Sequence, residues 1–487
     1  MLSSLFACLI SALGSVLAST NLGVTLDQAH CLPHLRLPYG TWQAHHYNEE
    51  ADVYTYRNIR YAAAPVGELR WRKPAPPDAI TGHCLFLDVY VPGRALEVDN
   101  SLMPVVVWIH GGGYVTGSKD QAIELGYYDG TSLIQHADNN LIVVTINYRR
   151  GAFGFLAGDP LQTKGEGAFN AGLHDQRAAL QWVQSYIHLL GGDRNNVSAW
   201  GQSAGAGSIM YHLIAEGGTL DPLFRGALLR GKEGDVISCL RRADTSMLRR
   251  ANEAVFAYEA SPVLDGEYIR GPALLEYAAG NTWKDFDSII TSHVHDEASL
   301  FLPAPPIPPN HPEQFITGLL PPNSTAQATK MANLYRSFYS NNTEHEMLKS
   351  LYTDLLFTCN TRAVLEAYRS HARAMQYSFI DGVVNATHGS DAAAIWYNPE
   401  LQGYSEPLFE QYQRYLVNLA RTGNPNLPGT QRKDGLASEY WPVAGGLDEE
   451  IPRDVLDLTN DGFGVIGDRQ MRRSVCETWT EVLRDAM

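Results

Sequence analysis

The stretch "NVSAWGQSAGAGSIMYHLIA" (196–215) decides the fold. A short β-branched and aromatic run, Val197–Trp200, meets a turn of small residues and then a helical stretch. Ser203 stands at the apex between Gly201 and Gly205, so residues 201–205 fit G-x-S-x-G. A nucleophilic serine needs a sharp strand-to-helix turn that lifts its oxygen clear of the sheet. Glycines two residues either side let neighbouring backbone pass closely. Small residues gather at many strand–helix turns, so the five letters alone are a weak signal; the strand before and the helix after give them weight.

Working outward, "PVVVWIH" (104–110), "NNLIVVTINYR" (139–149) and "VSAW" (197–200) are short, β-branched and nearly continuously apolar. That pattern predicts strands buried on both faces of a mostly parallel sheet. Between the last two, "NAGLHDQRAALQWVQSYIHLLGG" (170–192) sets Leu173, Leu180, Val183 and Ile187 at helical spacing and stops at Gly191. Strand, helix, strand, helix is the α/β signature. Residues 39–62 alternate aromatic and polar positions, as an antiparallel ribbon at a sheet edge does. The proline-rich "PAPPIPPNHP" (303–312) is a loop. The 487 residues set a prior of about three domains. No repeat, heptad array or compositional break divides them, so one large domain over 19–487 is expected.

The composition, 45% hydrophobic and 18% charged, is that of a globular chain with ample core material. A net charge of −16 without basic, aromatic-interleaved runs disfavours nucleic-acid binding. Residues 1–18, "MLSSLFACLISALGSVLA", are apolar and uncharged and end on a signal-peptidase pattern after Ala18. The alternative is a buried N-terminal helix. No later segment reaches the ~18 apolar residues of a membrane span, so a secreted, extracellular protein is expected. Beyond the leader lie Cys31, Cys84, Cys239, Cys359 and Cys476, an odd set that leaves at least one thiol outside any intrachain pair. Sequons stand at Asn196, Asn323, Asn341 and Asn385; the first precedes an expected buried strand and is a poor glycan site.

"VVVWIHGGGYVTGS" (105–118) adds a second chemical signal, three glycines directly after a buried strand. Attack by a serine on an acyl group needs backbone N–H donors aimed at the developing oxyanion, and glycines let a turn expose them. A phosphate-cradling loop is the rival reading. It lacks both a GK[ST] ending and a G-x-G-x-x-G run. No His/Cys/Asp cluster has metal-ligand spacing, and no cofactor is expected.

These blocks resemble the carboxylesterase type B, or cholinesterase-like, branch of the α/β-hydrolases, particularly its secreted fungal members. "RNIRYAAAPVGELRWRKP" (57–74), "CLFLDVYVP" (84–92), "NYRRGAFGFL" (147–156), "SPVLDGEYI" (261–269) and "LARTGNPN" (419–426) extend the likeness over nearly the whole chain. The resemblance implies an α/β-hydrolase fold, with a large mostly parallel sheet flanked by helices. It also implies a triad in the order Ser203, Glu297, His388. Glu297 is carried over from "SHVHDEASLF" (292–301), where Ala298 replaces the usual glycine, and His388 from "NATHGSD" (385–391). On that reading Ser203 attacks an ester carbonyl, His388 takes its proton, and Glu297 orients the imidazole. Backbone N–H groups of Gly112, Gly113 and Ala204 bind the oxyanion. Asp296 and Asp391 are rival acids, and His110 is an orienting residue. Gln202 stands where many relatives have glutamate, which weakens attraction for cationic esters.

Two segments of the family pattern are missing, near 80–84 and 231–239. The first leaves Cys84 without its usual partner and replaces the acid that normally meets Arg70 by Gly82 and His83. The second orphans Cys239. Either the chain is a diverged paralogue or coding segments are absent from the gene model. The expected function is hydrolysis of small-molecule or lipid carboxylesters. The alternatives are a non-catalytic binding protein of cholinesterase type, and a chain that folds too poorly to act.

Overall fold

The computed structural model describes residues 23–25, 32–77, 85–97, 101–120, 127–158, 161, 167–229, 262–302, 310–320, 323–339, 344–378, 386–398, 407–426, 439–459 and 461–487. Residues 1–18, the stretches 80–84 and 231–239, residues 303–309, Cys31, Cys84, Cys239, Asn341 and Asn385 lie outside them. The loop read at 303–312 is corrected at its end: His311 and Pro312 open the helix His311–Leu319, where a proline in the first turn is tolerated because its missing N–H has no helical acceptor.

Among the described residues, β1 (Gly23–Thr25), β2 (His34–Leu37) and β3 (Gly40–Gln43) make a small antiparallel sheet. The remaining strands make one sheet of eleven. They are β4 (His46–Asn48), β5 (Val53–Arg60), β6 (Phe86–Pro92), β7 (Met103–Ile109), β8 (Ile142–Ile146), β9 (Gly192–Gly201), β10 (Gly226–Leu229), β11 (Ser288–Val294), β12 (Ala372–Tyr377), β13 (Val455–Thr459) and β14 (Gly462–Ile466). The spatial order is β14-β13-β12-β11-β10-β9-β7-β8-β6-β5-β4. From β13 to β8 every pairing is parallel; antiparallel strands close both margins. Of the alternating ribbon read at 39–62, residues 46–60 are the hairpin of β4 and β5 at one edge, whereas residues 40–43 are β3 of the small sheet.

The apolar runs are continuous because the sheet is covered on both faces. Val105, Val107, Ile109, Ile142, Val144 and Ile146 point into one core; Val106, Trp108 and Val143 point into the other. Helices α1 (Ala171–Tyr186) and α2 (Ala204–Gly218, broken at Ala215–Gly217) cover the first face. Leu173, Leu180, Val183 and Ile187 are fully buried there, and Gly191 ends the segment at φ 81°. Later in the chain come α3 (Glu344–Thr353), α4 (Cys359–Ala367), α5 (Pro407–Thr422) and α6 (Arg473–Ala486). Helix α5 covers the second face with Leu408, Tyr412, Tyr415, Leu416 and Leu419. A third core, around Met331, Leu348, Leu351 and Trp479, joins α3 and α6 beside the sheet.

A disulfide between Cys359 at the start of α4 and Cys476 in α6 spans 117 residues. It pairs two of the five cysteines that follow residue 18, a link that the odd count alone did not reveal. Strand β8 is shorter than the apolar run at 139–149 because Asp138 and Asn139 both turn at φ 54°. Strand β9 begins earlier than 197, so Asn196 lies inside it, half-buried, with Nδ2 donating to the Arg421 carbonyl at 3.2 Å.

Candidate active site

The parallel register sets Ile109 beside Gly201, so the chain leaves β7 and β9 at one edge of the sheet, side by side. Ser203 follows β9 with φ 56° and ψ −127°, outside the regions a residue with a side chain prefers. The flanking glycines explain how the turn tolerates this. A Cβ on Gly205 would come within 1.9 Å of the Ile109 carbonyl oxygen, and one on Gly201 within 2.5 Å of the Gly205 carbonyl carbon. Only at these positions without side chains can α2 start directly above the strand end. Ala204 opens α2; its N–H has no acceptor within the helix and lies at the helix's positive end.

His388 reaches this serine from the loop after β12. Its Nε2 lies 2.9 Å from Ser203 Oγ, and its Nδ1 lies 2.6 Å from Glu297 Oε2. A carboxylate only accepts, so Nδ1 carries the proton and Nε2 is left to accept the serine hydroxyl. Glu297 is almost fully buried, and its second oxygen accepts the Val294 N–H at 2.8 Å. Burial alone pushes its carboxyl up. His388, the Val294 N–H and the nearby His293 outweigh this and hold it below the usual carboxylate range. The two loops are stitched together through their backbones: Asp296 N–H donates to Ala386 O at 2.9 Å, and His388 N–H donates to Asp296 O at 3.2 Å.

The rival acids sit elsewhere. The Asp296 carboxylate is occupied by Lys349 Nζ at 2.6 Å and by Ser299 Oγ. Burial raises its pKa, and those partners bring it below the usual value. Asp391 is buried at the start of the short helix Ala392–Ile395, where its carbonyl accepts N–H groups of the first turn. His110 is fully buried and stacks on Tyr148 at 4.4 Å, and its Nδ1–H donates to the Gly111 carbonyl at 2.8 Å. Burial pushes its pKa down to about 3, so it is a neutral support of the glycine loop. In that loop Gly112 and Gly113 turn at φ 106° and 58°. A Cβ on Gly111 would meet Ser203 Cβ at 2.8 Å, so the loop lies directly against the serine. Gln202 Nε2 is 3.2 Å from His388 Nε2, where its N–H shares the imidazole lone pair with the serine hydroxyl.

Two aromatic neighbours of His388 carried no signal in the sequence. Phe301 and Phe357 flank His388, with ring centroids at 5.0 and 5.1 Å. Phe357 belongs to a π-helical turn, Asp354–Thr358, between α3 and α4; such turns re-aim a side chain within an otherwise regular helix. Arg149, in the "NYRRG" block, makes a buried fork to Asp175 of α1, with Nε and Nη2 both at 2.7 Å. Arg70 places its guanidinium 5.6 Å from the Trp71 ring centre. Among the described residues no group of three or more His, Cys, Asp or Glu is placed to hold a metal ion. No described helix is long and apolar enough to cross a membrane.

The chain matches the model of the carboxylesterase family over residues 78–232 and 227–465. It is 39% identical over 511 residues to a secreted lipase of Arthroderma benhamiae, covering 97% of this chain and 96% of the relative. It is 28% identical over 578 residues to carboxylesterase patB of Aspergillus clavatus, covering 93% and 96%. The solved structure of Aspergillus niger EstA, 24% identical, superposes with a TM-score of 0.77 over 94% of this chain and 99% of that one. That likeness speaks for the fold, an α/β-hydrolase fold built on a large mostly parallel sheet. The family match and the length of the 39% likeness together settle descent: the chain belongs to the carboxylesterase family.

Proposed function

We propose that the protein hydrolyses carboxylesters through an acyl-enzyme on Ser203, with Glu297 and His388 completing the triad. Ester hydrolysis is the chemistry of its family. The observation that carries the triad is the continuous hydrogen-bonded chain Glu297–His388–Ser203, at 2.6 and 2.9 Å, ending on a serine held at a strained turn. His388 Nε2 takes the hydroxyl proton as Oγ attacks the ester carbon. Glu297 stabilises the imidazolium that forms. The carbonyl oxygen, now anionic, sits against the N–H groups of Gly112, Gly113 and Ala204. The tetrahedral intermediate then expels the alcohol, which leaves with the proton from Nε2, and water repeats the sequence on the acyl-serine.

The substrates are neutral esters, small or lipid. The uncharged Gln202 beside His388 supports this, as does the likeness to a lipase. Secretion rests on the apolar leader 1–18 and on a relative described as secreted. The mature chain then begins at Ser19 and forms one domain to residue 487, shortened near 80–84 and 231–239.

Hydrolysis of p-nitrophenyl butyrate by wild type and Ser203→Ala tests the triad. Loss of the nucleophile is expected to lower kcat by ~10⁴-fold or more, and a fluorophosphonate is expected to label only the protein that keeps Ser203. Hydrolysis that survives Ser203→Ala overturns the assignment. Amino-terminal sequencing of protein recovered from culture medium tests the leader, and a transcript read across 75–90 and 228–242 tests the shortening.

A further inference from the structure

Behind the acid of the triad lies a second histidine–carboxylate pair that the mechanism above does not use. His293, near the end of β11, is 1% exposed, and Asp468, after β14, is fully buried. His293 Nε2 lies 2.5 Å from Asp468 Oδ2, and Nδ1 lies 3.0 Å from the Val294 carbonyl oxygen. A neutral imidazole has one donor and one acceptor nitrogen. Here both nitrogens face groups that only accept, so both carry protons and the ring is a cation. Asp468 is in turn fixed as an anion: its other oxygen accepts the Gln470 N–H at 2.8 Å. Burial pushes the Asp468 carboxyl up, but His293 and the Gln470 and Met471 N–H groups bring it below the usual value.

The position of this cation matters because Val294 serves both sites. Its carbonyl receives the His293 Nδ1–H, and its N–H is the donor that holds Glu297 Oε1. We propose that His293 is a positioning residue for Glu297: an imidazolium, locked between Asp468 and the Val294 carbonyl, that fixes the Val294 N–H and keeps Glu297 ionised. The proposal rests on the Ser203–His388–Glu297 reading.

Other charges around the ring are consistent with it. Across the sheet Gln376 of β12 is in register with His293, and Asp457 of β13 is in register with Gln376. Asp457 is pushed up, first by burial and then, against a hydrogen bond from Ser378, by the anion on Asp468. His295 and Glu297 lie on the acid loop, and Asp296 there is neutralised by Lys349. Burial pulls His293 down, yet Asp468 and Glu297 raise it to about 9.

Two kinds of measurement test this. In wild type labelled with ¹⁵N-histidine, at least one imidazolium is expected to persist at pH 8; sixteen neutral histidines overturn the proposal. In folded His293→Gln, kcat for p-nitrophenyl butyrate is expected to fall about tenfold with KM within about twofold. The acidic limb of its kcat profile is expected to move to higher pH, because Glu297 loses the cation that opposes its protonation. Asp468→Asn, which leaves a buried imidazole without its carboxylate, is expected to shift the limb in the same direction. A merely structural role lowers the melting temperature and leaves the limb in place, and that result overturns the proposal. If Ser203→Ala retains hydrolysis, the triad itself falls. If it abolishes hydrolysis while both variants keep the wild-type limb, only the role of His293 falls.

Discussion

At the scale of single residues, the site is organised by what cannot be present as much as by what is. Ser203 takes its strained conformation because Gly201 and Gly205 lack side chains where β9, α2 and the end of β7 converge. Gly205→Ala is therefore expected to destabilise the protein by about 3 kcal/mol or more, since its Cβ meets backbone that has nowhere to go. A thermal melt, with soluble yield as a second readout, checks this; an unchanged melting temperature contradicts it. This part of the site was legible in the sequence, because a glycine requirement leaves a fixed spacing. The Val294 N–H that holds Glu297 was not legible, since any residue but proline supplies a backbone donor. His293 was equally silent among sixteen histidines, because its partner lies 175 residues away.

At the scale of elements, legibility followed burial. Strands β7, β8 and β9 sit in the middle of the sheet, so their apolar runs announce them. Strand β12, "ARAMQY", does not, because it accommodates Arg373 and Gln376 as buried side chains. The π-helical turn that carries Phe357 to His388 left no periodic trace either. It lies within an otherwise continuous helical stretch from α3 into α4. The disulfide pins the start of α4, one residue after that turn, to α6. Closing a loop of this length restricts the unfolded chain strongly. Replacing both cysteines by alanine is expected to lower stability by about 2–5 kcal/mol. Denaturant unfolding of the double variant against wild type measures the difference, and coincident curves contradict it.

At the scale of the whole molecule, the buried histidines set opposite limits on the pH range of the fold. Burial holds His110 and His212 neutral, each lowered to about 3. Their unfolded counterparts take up protons below about 6.5, so folding loses stability as pH falls through that value. For the two together the slope is about 3 kcal/mol per pH unit between roughly pH 6 and 4. His293 acts in the other sense. Its pKa is raised to about 9, so its contribution is complete below about 6.5 and disappears as pH rises through about 9. Melting temperatures measured from pH 4 to 10 are expected to fall at both ends, and His293→Gln is expected to remove the alkaline fall. The covalent link from Cys359 to Cys476 has one more consequence, for any protease that meets the chain. It encloses the loop carrying His388 but neither Ser203 nor Glu297. A single cut between the two cysteines therefore yields two fragments that stay bound to each other. Such nicked protein is expected to run as one full-mass band on a denaturing gel without reductant and as two bands with it.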